Sequence, residues 1–93
     1  MNADYINNPK MDEASSKRGG LNKFLILHND DFHTFDYVVD ALVEVCNHDS
    51  AQAEQCAYIA HYKGKCDIKK GRFDKLNVMK QELLEKELIV TIE

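Results

Sequence analysis

The run Phe24-Leu25-Ile26-Leu27 is the segment around which this chain has to be built. Four apolar residues without a polar break are too short for a helix, and they do not alternate like a half-buried strand. They read as the heart of a central strand spanning Leu21 to His28, covered on both faces. The chain has 93 residues, enough for one domain. A domain of this size buries only roughly 60% of the surface its unfolded chain exposes, so its core must close tightly on that strand.

The segments that follow change period. Asn29 to Thr34 is polar and turn-prone. Thr34 is placed to cap a helix, with Asp36 facing the positive end of its dipole. Val38, Ala41, Leu42 and Val45 then recur at helical spacing and define one buried face. Asn47-His48-Asp49-Ser50 breaks the pattern, and Asp49 or Ser50 caps a second helix. That helix runs through Ala53, Cys56, Ala57 and Ala60 and stops at Gly64. Its apolar face is made of small residues, so a neighbour can approach closely. Lys65 to Lys69 reads as a short strand, Lys70-Gly71 as a turn, and Asp74 as the cap of a third helix carrying Leu76, Met79 and Leu83 inward. Leu88 to Ile92 is a last strand. The order is β-α-α-β-α-β, an α+β fold. Residues 1–20 show no sustained apolar period and end in Gly19-Gly20, so they read as a flexible extension before a domain at 21–93.

Two polar clusters stand out against this frame. Asn29-Asp30-Asp31 closes the first strand, and Ala60-His61-Tyr62-Lys63-Gly64-Lys65 closes the second helix. Asn and Asp are ordinary loop residues, and a histidine at a helix end commonly bonds a carbonyl. Brought together, however, Asn29, Asp30, Asp31 and His61 would form an acceptor-rich socket for a cationic amine. An ammonium group has three donors, and each charged hydrogen bond is worth about 1.5–3 kcal/mol.

Other chemistries fit less well. The net charge is −4, and residues 1–20 carry three acidic and three basic groups, so the excess lies in the folded part. With no basic stripe, nucleic acid is not the expected partner. No apolar run is long enough to span a membrane, and the start of the chain lacks a signal-peptide pattern, so a cytoplasmic location is expected. The odd number of cysteines (Cys46, Cys56 and Cys66) favours free thiols in a reducing compartment. With four histidines these could supply metal ligands, but no Cys-x-x-Cys or His-x-x-x-His spacing occurs. Neither a metal nor a cofactor is expected. Asp30, Asp31 and His61 lack a nucleophile elbow, phosphate loop or second catalytic cluster, so no catalytic residue is assigned.

The segment from Phe24 to Phe32, the helix near Asp36-Tyr37-Val38-Val39, and Ala60 to Lys65 together resemble the ClpS family, the bacterial adaptors of the Clp protease. The resemblance is strongest over residues 22–69 and continues loosely to the end of the chain. It implies a three-stranded antiparallel sheet packed on three helices, similar to the C-terminal domain of the ribosomal stalk protein. It implies a non-enzymatic adaptor that binds proteins beginning with Leu, Phe, Tyr or Trp and delivers them to an AAA+ unfoldase of the ClpA or ClpC type. Asn29, Asp30 and His61 match the family positions that hold the substrate α-amino group and first peptide unit, and Asp31 continues the motif. Phe35, Val38, Ala41, Leu42, Ala57 and Ala60 match the side-chain pocket.

The chain departs from the family pattern in three places. His33-Thr34-Phe35 stands where many members have Thr-Pro-Met, and Ala57 and Ala60 stand where relatives carry Met or Val. The stretch from Lys69 to Asp74, in a region that contributes to unfoldase docking in the family, is shorter. In the family the N-terminal extension engages the unfoldase during delivery. A monomer is expected, because the helix faces are narrow. The alternative is a non-catalytic docking domain for a ribosomal or translation partner, which would not need Asn29, Asp30 and His61 together.

Overall fold

The structure is a computed structural model that describes residues 23–93; the predicted extension at 1–20 lies outside the described residues. Its elements are β1 (Lys23–His28), α1 (Phe35–Cys46), α2 (Ser50–Lys63), β2 (Lys65–Gly71), α3 (Phe73–Glu85) and β3 (Val90–Ile92). The order is the one expected from the sequence. The three strands form one antiparallel sheet in the order β2-β1-β3, so the apolar run occupies the centre. Leu25, Ile26 and Leu27 are all buried there. Leu25 and Leu27 belong to the main core, whereas Ile26 does not, as strand alternation requires. The same core takes Val39, Leu42 and Cys46 from α1, Ala53, Ala57 and Ala60 from α2, and Leu76 and Leu83 from α3.

The helix ends explain themselves. Thr34 Oγ1 accepts the Tyr37 N–H at 3.1 Å, and Asp49 Oδ1 accepts that of Gln52 at 2.8 Å. Each satisfies a donor that a helix N-terminus leaves open. Asn47 ends α1 and Gly64 ends α2, both with left-handed backbone. His48, buried in the turn between these helices, donates from Nε2 to the Ile68 carbonyl at 2.7 Å and so ties the hairpin to β2.

Two local expectations are corrected. Lys70-Gly71 is not a turn: pairing continues to Lys23↔Gly71, because β2 bulges at Ile68 and regains register with β1. Asp74 is not the cap of α3. That position belongs to Arg72, and Asp74 sits in the first turn, accepting from Arg72 Nε at 3.2 Å. An acidic residue fits either position, so the sequence did not separate them.

Candidate functional site

The sheet and the helical hairpin meet at the C-terminal end of β1, where two backbone hydrogen bonds fix the chain. The His28 N–H donates to the Ile89 carbonyl at 2.9 Å, and the Asn29 N–H donates to the Gly64 carbonyl at 2.8 Å. The second bond joins the two signatures of the sequence. Gly64 can turn the chain there because its φ of 94° is one that side-chain-bearing residues rarely adopt. The loop after β1 is thereby held against the last turn of α2, which carries His61.

A cavity of about 240 Å³ opens at this junction. Its lining is Leu27, His28, Asn29, Asp30, Asp31, His33, Phe35, Val38, Ala57, Ala60 and His61. The four polar residues singled out from the sequence therefore share one cavity with four of the six apolar ones. Ala41 and Leu42 are placed elsewhere: they are buried in the core and do not line the cavity. Helical periodicity marked their face correctly but does not show where along that face the space is filled. Tyr62, next to His61, is largely exposed and lies against Tyr58, with ring centroids 4.5 Å apart.

The cavity divides by chemistry. Phe35, Val38, Ala57 and Ala60 come from the facing ends of α1 and α2 and supply an apolar wall. The loop after β1 and His61 supply polar groups. Asn29 Nδ2 donates weakly to Asp31 Oδ1 at 3.4 Å, an orientation that leaves Asn29 Oδ1 as an acceptor. Asp30 is more firmly committed. Its Oδ1 accepts the Phe32 and His33 N–H groups at 2.7 and 2.9 Å, and its Oδ2 accepts His33 Nδ1 at 2.7 Å. Burial pushes the Asp30 carboxyl up, but the hydrogen bonds from His33 and Phe32 outweigh it and hold the group below its ordinary value. It is a carboxylate at neutral pH.

Sequence reasoning missed Leu27, His28 and His33 in the lining. His28 ends a strand and pairs through Nε2 with Thr91 Oγ1 at 2.8 Å, a contact between distant parts of the chain. His33 did have a local signal, an Asp-x-x-His spacing just before a helix cap. On the outer side of the same loop lies a more open second cavity of about 420 Å³, lined by Asn29 to His33 with Glu87 and Ile89.

The three cysteines are free and lie away from the cavity lining. Burial raises the Cys56 thiol and pushes Cys46 up to about 11 and Cys66 to about 12, so all three stay protonated at neutral pH. Among the described residues no group of three or more His, Cys, Asp or Glu side chains is placed to hold a metal ion. No described helix is long and apolar enough to cross a membrane.

The family model described as ATP-dependent Clp protease adaptor protein ClpS matches residues 23–89. The chain belongs to the ClpS family. Among solved structures it is similar to ClpS2 of Agrobacterium tumefaciens bound to L-phenylalaninamide, with a TM-score of 0.72 and 22% identity over 80% of this chain and 96% of that one. At this identity the likeness is one of fold, and the sheet and helices above are those of a ClpS adaptor.

Proposed function

We propose that this ClpS-family chain is a non-catalytic adaptor, acting in the cytoplasm, that binds proteins by a bulky hydrophobic first residue and hands them to an AAA+ Clp unfoldase for degradation. The observation that carries this is a single cavity in which Asn29, Asp30, Asp31 and His61 meet an apolar wall of Phe35, Val38, Ala57 and Ala60. A first residue differs from every internal one by its ammonium group, which the polar residues are suited to receive. An internal residue would leave those acceptors unpaired, and that penalises the wrong ligand. The apolar wall then selects the side chain, since burying a Leu or Phe contributes about 1.5–3 kcal/mol.

The size of the cavity supports the same reading. Its volume of about 240 Å³ falls below the roughly 300–1,000 Å³ of small-molecule pockets and suits one side chain. L-Phenylalaninamide, which the Agrobacterium relative binds, is chemically the start of such a substrate: a free amine, an apolar ring and an amide. Phe35 stands where many family members carry Met, and its bulkier ring would either exclude β-branched side chains sterically or narrow the pocket.

Fluorescence anisotropy with peptides that differ only in the first residue tests this reading. Leu, Phe, Tyr and Trp peptides should bind in some order, Ile and Arg weakly, and acetylated Leu at least tenfold more weakly than free Leu. Indifference to acetylation, or no binding by any peptide, would discard the proposal in favour of a docking domain for another partner.

A further inference from the structure

We propose that His33 is a positioning residue for amine capture: it aims the Asp30 carboxylate into the cavity. This rests on the N-terminal-residue reading above. Loop aspartates that accept two backbone N–H groups on one oxygen are fixed at one point and keep some freedom to turn about it. Asp30 is held at two. Oδ1 takes the Phe32 and His33 N–H groups, and the His33 ring takes Oδ2 at 2.7 Å. A carboxylate only accepts, so Nδ1 carries the proton and donates. Three of about four acceptor positions are then filled, and the one left on Oδ2 has a set direction. Both side chains are largely shielded from water, at 10% exposure for His33 and 7% for Asp30, which strengthens the contact.

His33 is itself braced. Its ring lies nearly parallel to that of Tyr37, 4.6 Å away at 14°, and meets Phe32 edge-on at 5.0 Å. The Tyr37 hydroxyl donates to the Lys86 carbonyl at 2.9 Å, just beyond α3. A continuous set of contacts thus runs from the far end of α3 to the carboxylate. His33 also lines both cavities, so it forms part of the wall between them. Pre-ordering a binding group removes a cost that the ligand would otherwise meet on arrival.

The test compares two amides at position 33 in the full chain. The Asn amide nitrogen falls near the place of Nδ1, whereas that of Gln reaches further out, near Nε2. With a labelled peptide beginning with Phe, His33→Asn should bind within about threefold of the original protein. His33→Gln and His33→Ala should each lose roughly tenfold, the scale of one immobilised side chain and one charged hydrogen bond. In an Asp30→Ala background His33→Ala should change affinity less than twofold, because its target is gone. Equal binding by the Asn and Gln variants would overturn the proposal, as would an undiminished effect of His33→Ala without Asp30. Either result leaves the amine-capture reading intact if the original protein binds. If the original protein ignores the peptide, both readings fall.

Discussion

The two ends of the α1–α2 hairpin are built from the same kind of sequence and do opposite things. At the closed end Leu42, Cys46 and Ala53 have no measurable exposure and fill the space over the sheet. At the open end Phe35 and Val38 face Ala57 and Ala60 across a cavity, and Phe35 stays 44% exposed. Both ends carry apolar residues at helical spacing. The difference lies in side-chain size and in what lies opposite. At the closed end Leu42 joins Ile68, Leu76 and Leu83 in the core. At the open end the small side chains of Ala57 and Ala60 leave the gap to Phe35 and Val38 unfilled, and the loop of acidic and amide groups after β1 borders the space. A patterned face is therefore core or pocket according to whether its partner layer fills the gap.

The sharpest way to break this comparison is Leu42→Ala. As a closed-core residue Leu42 should cost about 2–5 kcal/mol in urea denaturation when truncated. Peptide affinity of the folded fraction should hardly change. A loss under about 1 kcal/mol with altered residue preference would instead put Leu42 in the pocket, as the family pattern implies.

A matched pair on α2 comes next. Ala53→Leu forces extra volume into filled space and should cost about 1–3 kcal/mol. Ala57→Leu, one turn on, enters the cavity and should cost less than about 1 kcal/mol while abolishing binding of a Phe-led peptide. Equal destabilisation at both positions, read by thermal melts, would show that the two ends are packed alike.

Gly64→Ala probes the joint that makes the open end. Apart from Gly64 and its chain neighbours nothing lies within 4 Å of the added methyl group, so the cost is that of the backbone at φ +94°. About 1–2 kcal/mol is expected. Because the Gly64 carbonyl holds the Asn29 N–H, peptide affinity should fall severalfold as well. Lost stability with unchanged affinity would mean that the loop after β1 keeps its place without Gly64.

Much of this was legible in the sequence, for physical reasons that differ by region. The central strand, the Thr34 and Asp49 caps and the Gly64 stop are local, and each is set by residue chemistry within a few positions. The extension of β2 to Gly71 was not legible, since the bulge at Ile68 is decided by register with β1. The polar end of the site was visible as residue types, Asn29, Asp30, Asp31 and His61. What they are bonded to was not. The hold of His33 on Asp30 depends on a ring direction that Tyr37 and Lys86 help to set from elsewhere in the fold. Ala41 and Leu42 look like pocket residues by pattern, and only the packing of α3 and the sheet separates them from Val38 and Ala57.

The smallest expected effect concerns backbone strain. Among the described residues two non-glycine residues have left-handed backbone: Asn47 at the closed end with φ 59°, and Glu87, just after α3 and beside the second cavity, with φ 67°. Asn tolerates this region because its short amide bonds locally, whereas Glu meets the full steric cost of about 1–2 kcal/mol. Glycine removes that cost but adds roughly 0.5–1 kcal/mol of unfolded-chain entropy. Glu87→Gly should therefore stabilise by about 0.5–1 kcal/mol, seen as a rise in Tm of roughly 3–6 °C. Asn47→Gly should be neutral or slightly destabilising. The Glu87 N–H donates to the Leu84 carbonyl and the Leu88 N–H to that of Leu83, so the turn keeps its hydrogen bonds in the variant and the gain isolates strain. A gain at Asn47 as large as that at Glu87 would erase the distinction. A gain at Glu87 alone places the relievable strain beside the second cavity.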